Sequence, residues 1–195
     1  MLKVDFELKG LAPLQFSKYI AEKKNTGESH DAFEKRSWMQ RLHVGADGNC
    51  FVPPQAIKGG LESCARFLSE SVPGKGMAKY TKHFKAGIMC TDPILLFNGG
   101  KPLTAKDVHP LELFVPSDGR KGGGSRVMKV FPTLSDWTAI GTLYVLDPLL
   151  IDKPEKIEEY MRHAGQFIGM LAFRPENGGY FGRYEVTKFE YSDVA

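Results

Sequence analysis

Three features of the sequence predict an α+β fold with helices packed on one face of a sheet. Two segments have helical period, several segments of strand period alternate with them, and the middle third is interrupted by glycine- and lysine-rich loop stretches. The first strand is VDFELKGLAPL, where apolar Val4, Phe6 and Leu8 alternate with charged Asp5, Glu7 and Lys9. From Gln15 to Asp47 the composition turns polar, with KKNTGESHD at its centre and no sustained apolar stripe, so a long excursion or a short helix is expected. SWMQRLHV reads as a second strand. Residues 57–70 place Ile57, Leu61, Cys64, Ala65 and Leu68 on one helical stripe, with Lys58, Glu62, Ser63, Arg66 and Ser69 elsewhere on the wheel.

SVPGKG ends that helix, and MAKYTKHFKAGIMCTDPILLF then holds a strand around Ala86 to Cys90 or Ile94 to Phe97. GGKPLTAKD and SDGRKGGGSR read as loops, because consecutive glycines at 122–124 oppose helix and strand alike. DWTAIGTLYVLD reads as a buried strand. PEKIEEYMRHAGQFIGML aligns Ile157, Met161, Ala164, Ile168 and Leu171, and sets Glu155, Glu158 and Glu159 near the end where the helix dipole favours anions. YFGRYEVTKFEY closes the chain as an alternating strand. This order predicts a ferredoxin-like or RNA-recognition-motif-like core, one domain over residues 1–195, with insertions near 15–47 and 98–126. Long excursions from a compact core are usually functional or disordered.

The chain of 195 residues is 42% hydrophobic and 25% charged, an ordinary globular composition that excludes disorder. No run reaches the length of a membrane span and MLKVDFELKG lacks an apolar signal core, so a cytoplasmic protein with no membrane partner is expected. Cys50, Cys64 and Cys90 resemble neither a disulfide framework nor a zinc-ligand pair and are expected as buried or half-buried thiols. His30, His43, His83, His109 and His163 are scattered, so no metal and no cofactor is expected. The net charge of +3 is unevenly spread: 12 Lys and Arg face 6 Asp and Glu between Pro53 and Thr133, against 14 and 17 in the rest of the chain.

FVPPQAIKGGLESCARF concentrates the functional signal. Unpaired amides at a helix start hold phosphate where the chain comes close, glycines permit that approach, and Lys58 and Arg66 add a point charge and a planar fork. The alternative is that Gly59 and Gly60 serve helix-on-sheet packing beneath solvated cations. SVPGKGMAKYTKHFKAGIMCT carries Lys75, Lys79, Lys82 and Lys85 with Tyr80 and Phe84 and no acid; its rings either stack on bases or face the core. SDGRKGGGSRVMK offers Arg120, Lys121, Arg126 and Lys129 around a glycine hinge, either a clamp on a strand of nucleic acid or a surface tip. GGYFGRY adds Arg183, beside Tyr180, Phe181 and Tyr184, of which Phe181 and Tyr184 are expected in the core.

FVPPQAIKGGLESCAR resembles a segment of the RAMP superfamily, the repeat-associated proteins of CRISPR systems, in which a proline-containing strand end leads through Lys-Gly into a helix bearing Arg. FRPENGGYFGRYEV is similar to that superfamily's glycine-rich loop and final strand. The resemblance covers about 30 residues in two segments. It implies that Lys58, Gly59 and Arg66 bind nucleic acid and that the glycine-rich loop lies beside the helix start. The expected function is a non-catalytic protein that holds single-stranded RNA or DNA by its phosphates. RNA is favoured because the family favours it, and self-association head-to-tail into an oligomer or filament follows from the projecting insertions. Two alternatives stay open. One is a RAMP-type endoribonuclease, for which His30 and Asp31 beside Lys35 and Arg36 are the only candidate catalytic residues. The other is a phage or mobile-element protein that docks onto CRISPR effector subunits and inhibits them.

Overall fold

The computed structural model describes residues 1–117 and 124–194. Strand β1 (Leu2–Gly10) turns Val4, Phe6 and Leu8 inward, as its alternation requires. A short β2 (Leu14–Gln15) leads to helix α1 (His30–Ser37), which Ser29 caps by accepting a hydrogen bond from the Ala32 N–H. The chain then tightens into a 3-10 turn at Trp38–Arg41, so SWMQRLHV is not a strand. Met39 and Leu42, three residues apart, fall on one side of such a turn and both meet the core.

After β3 (Phe51–Val52), helix α2 (Pro54–Leu68) begins at Pro54, earlier than the apolar stripe suggested, because proline suits a first helical position whose N–H would go unpaired. The next segment forms α3 (Thr81–Gly87) before the strands β4 (Ile88–Met89) and β5 (Ile94–Asn98). Next come β6 (Lys101–Pro102), β7 (His109–Pro116), β8 (Arg126–Leu134) and β9 (Thr138–Val145). A short α4 (Pro148–Ile151) precedes α5 (Pro154–His163). Helix α5 runs into a π-turn, Ala164–Ile168, that stops at Gly169 with φ of 72°. Leu171 therefore leaves the stripe predicted for it. The chain ends in β10 (Tyr184–Asp193).

The elements β1, α2, β5, β9, α5 and β10 form the predicted split βαβ order. Their sheet runs β10-β1-β9-β5, extended by β3, and every pairing in it is antiparallel. Phe6 stands opposite Gly141, where a Cβ would approach the Phe6 ring to 2.8 Å and Ile94 to 2.5 Å. Ile57, Leu61 and Cys64 of α2 and Ile157 and Met161 of α5 close this core from one side. Among the described residues no helix is long and apolar enough to cross a membrane.

The segments read as insertions meet each other. The stretch around residues 98–126, read as loops, holds strand β7 in a hairpin with β8, and β2 completes a second sheet of order β2-β8-β7. Pro110 and Pro116 argue against a strand, yet β7 is an edge strand of this sheet and edges tolerate proline. From the other side, buried Glu34 of α1 accepts two hydrogen bonds of 2.8 Å from Arg41 and one of 3.2 Å from the Val130 N–H of β8. The Arg41 guanidinium also lies 5.4 Å over the Phe131 ring.

Breaking this pair strands a buried charge, so Glu34→Ala is expected to lower the unfolding free energy by about 3–5 kcal/mol in chemical denaturation. A second polar contact joins the end of α2 to α5: Glu70 accepts from Lys156 and from the Tyr160 hydroxyl, each at 3.0 Å. Burial alone would push the Glu70 carboxyl up; these hydrogen bonds outweigh it and hold the carboxyl below its ordinary value. A depressed carboxyl contributes stability that is present above its unfolded value and lost as pH falls through the lower folded one. Thermal melts from pH 6 to 3 are expected to show a shallower acid loss for Glu70→Gln than for the wild type.

Candidate nucleic-acid interface

Helix α2 shows water a stripe of Gln55, Gly59, Glu62 and Arg66, spaced as successive helical turns demand. Among the described residues no side chain caps its first amides, and Gln55 beside them is exposed. Lys58 and Gly59 sit one turn inside the helix, and the helix does not wait for them to begin. A Cβ on Gly59 or Gly60 would meet nothing within 4 Å, so neither glycine is there for packing against the sheet. Each costs about 1 kcal/mol of helix stability relative to alanine, and the outward surface over this turn is bare backbone.

One flank of the stripe is α3. The Lys58 ammonium donates to the Lys85 carbonyl at 3.1 Å, at the end of α3 where the dipole favours a cation. Lys82 and Lys85, three residues apart, share the exposed side of α3. Lys79 donates to the Ser69 carbonyl, at the left-handed residue that ends α2, and Lys75 lies exposed in the connecting turn. Tyr80 and Phe84 are buried against Tyr160, with Phe84 stacked at 4.4 Å. Base stacking by these two rings is therefore excluded, and the core reading holds.

The other flank is the π-turn with the glycine-rich loop after it. That loop lies beside Ser63, Arg66 and Phe67, not beside Lys58 as the resemblance implied. Its glycines are packed: a side chain on Gly179 would collide with the Phe173 carbonyl, and one on Gly182 with Met170. Leu171 and Phe173 hold φ of 60° and 50°, a left-handed strain that only a tightly determined loop sustains. Phe181 and Tyr184 fill the core, as expected. Half-buried Arg183 donates to the Gln166 carbonyl.

Arg66 follows Lys58 by eight residues, about 12 Å along the axis, so the two cannot grip one phosphate. Arg66 instead faces a groove of about 460 Å³ with Ser63, Phe67, Phe167 and Glu176. Burial would raise the Glu176 carboxyl, but hydrogen bonds from Arg174 and Ser63 hold it below its usual value, so it stays ionised and neutralised by Arg174 at 2.7 Å. Phe67 and Phe167 were not among the predicted site residues. Phe67 was legible as an aromatic off the apolar stripe of its helix; Phe167 was not, because the π-turn shifts its direction.

The hairpin contributes less. Arg126 is exposed near its tip with its guanidinium 3.4 Å from the Phe114 carbonyl, and Arg120 and Lys121 lie outside the described residues. His30 and Asp31 form no reacting pair. The His30 Nε2 is 3.1 Å from the Met128 carbonyl, which ties the ring to β8, and Asp31 is exposed in the first turn of α1. Burial pushes the Cys50 and Cys90 thiols up to about 11 and Cys64 to about 12, so all three stay protonated near neutral pH. Among the described residues no group of His, Cys, Asp and Glu is placed to hold a metal ion.

Charge pairing divides the molecule. Among the described residues, no lysine or arginine between Pro53 and Thr133 forms an ion pair with a carboxylate. The paired ones, from Lys3 and Arg41 to Lys156 and Lys188, all lie outside that span.

Neither a family model nor a curated protein sequence matches the chain. Solved structures do. The crystal structure of Cmr6 from Pyrococcus furiosus is similar over 95% of this chain and 98% of its own, with a TM-score of 0.51 and 12% identity. A chain in the cryo-EM structure of the type III-B Cmr-β complex bound to cognate target RNA is similar over all of this chain, with a TM-score of 0.50 and 14% identity. This chain spans 61% of that chain's length. The protein thus shares the α+β fold of these two chains, and the similarity extends over nearly the whole chain, beyond the two short segments read from the sequence.

Because nothing meets a Cβ at Gly59, Gly59→Ala is expected to raise the unfolding free energy by about 0.5–1 kcal/mol in chemical denaturation, with an unchanged circular dichroism spectrum.

Proposed function

We propose that this protein is a non-catalytic, single-stranded RNA-binding subunit that holds the phosphate backbone along the exposed side of α2 and α3. The observation that carries this reading is the run of cations between Pro53 and Thr133 with no carboxylate partner among the described residues. Lysines with no carboxylate partner among the described residues repel one another and leave a positive field over the surface, which a polyanion relieves by giving up its own counterions. Lys58, bonded to the end of α3, joins Lys82 and Lys85 in that field, beside the bare backbone of Gly59. Lys75, Lys79, Arg66, Arg126 and Arg183 extend it.

The likeness to Cmr6 and to a chain of an RNA-bound Cmr-β complex supports RNA as the ligand and other CRISPR effector subunits as partners. Head-to-tail assembly along the strand uses the second sheet. Among the described residues the outer edge of β7 pairs with no other strand, and Phe114 on it is 69% exposed.

Fluorescence anisotropy with a labelled single-stranded oligoribonucleotide, titrated from 50 to 300 mM salt, tests the reading. Binding is expected at low salt, weak in sequence preference. Each phosphate-contacting lysine removed in Lys58→Ala, Lys82→Ala and Lys85→Ala variants should flatten the slope of log affinity against log salt by about 0.7. A chain that binds no single strand at low salt refutes the proposal and points instead to a protein that docks on a ribonucleoprotein through its partners.

A further inference from the structure

The rings of His163, Phe167 and Phe67 form a short column whose last member, Phe67, is more exposed than Phe167. His163 and Phe167 stack at 6.0 Å with planes 23° apart, and Phe167 and Phe67 at 5.5 Å and 28°. Phe167 is 45% exposed and Phe67 60%, on the water-facing part of α2 away from its apolar stripe. We propose that the outer face of Phe67 is a stacking platform for one unpaired nucleobase, with the adjoining phosphate held by Arg66; the proposal rests on the RNA-binding reading above.

Three features of the groove favour a base over an apolar protein segment. Its volume, about 460 Å³, suits a single small ring system, whereas a stable protein interface needs about 800 Å² from each partner. Its rim is polar: the Ser63 hydroxyl, the Glu176 carboxylate and the Arg66 guanidinium offer acceptors and donors to the edge of a base. Its charge suits a nucleotide, because Glu176 is neutralised by Arg174 while Arg66 has no carboxylate partner among the described residues and bonds only to Ser63, at 3.2 Å. Every base has a flat face, so a bare phenyl ring that extends a stack accepts any of them. The platform lies about 13 Å along α2 from Lys58, so a strand that covers both would run much of the length of the helix.

The test compares two oligoribonucleotides of equal length, one of adenosines and one abasic, so that phosphates are matched and only bases differ. Wild type is expected to prefer the base-bearing strand by about five- to hundred-fold. Phe67→Ala should remove that preference and leave the abasic affinity unchanged, Phe67→Trp should restore it with tryptophan quenching on binding, and Phe67→Leu should not. An unchanged unfolding midpoint in each variant keeps the comparison clean. If Phe67→Ala or Phe67→Leu keeps the full preference, the platform is overturned and the RNA-binding reading stands. If wild type binds neither strand at low salt, the RNA-binding reading falls and the platform with it.

Discussion

The structure depends on the two-residue period of its first strand. Val4, Phe6 and Leu8 are buried between β9 and β10, and a slip of one residue would drive Asp5 and Glu7 into the core instead. Because β1 is central, its register sets that of both neighbours. Gly141 opposite Phe6 leaves room for the ring, and Phe189 lies across from it on β10. The same inward residues give α2 and α5 the apolar surface on which their stripes pack. Once Ile57, Leu61 and Cys64 are committed to that surface, Gln55, Gly59 and Arg66 have no direction left but outward.

That commitment explains where the molecule keeps its charge. Carboxylates and cations at the two ends of the chain find each other, on α1, on α5 and along β1 and β10. The cations of the middle lie mainly on α2, α3, the turn between them and the hairpin, where carboxylates are few, and two carboxylates nearby serve other bonds. Glu70 takes Lys156, and Asp107 closes a capping box with Thr104. Isolated surface lysines contribute little to stability in either case. Their lack of partners matters for what approaches the surface, not for the fold beneath it.

The second sheet is held to α1 by a different kind of contact. A buried carboxylate, Glu34, occupies the side of β8 where another strand would pair, and accepts the N–H that Val130 would otherwise leave unsatisfied. Arg41 balances its charge at 2.8 Å. The polar excursion is thus what completes the hairpin, and two segments that look like unrelated insertions are one unit of structure. Such an arrangement makes the hairpin a fixed arm, while its outer edge on β7 stays available.

The sequence by itself determined what depends on near neighbours: the strands β1, β9 and β10, the helices α2 and α5, the split βαβ order, the uneven charge and the burial of Phe181 and Tyr184. These follow from spacings of two, three and four residues, which set the side a residue faces before any partner arrives. Lys82 belongs here too, as a cation on a segment with no acids. Only the tertiary structure decided the rest. It buried Tyr80 and Phe84 against Tyr160, curled SWMQRLHV onto the core, and turned a glycine-rich stretch into a loop beside Arg66 instead of Lys58. It also brought Glu34 to Val130 and stacked Phe67 on Phe167. Those contacts join residues far apart in the chain, and no local spacing records which distant side chain will arrive; packing chooses it when the sheet and its two helices close.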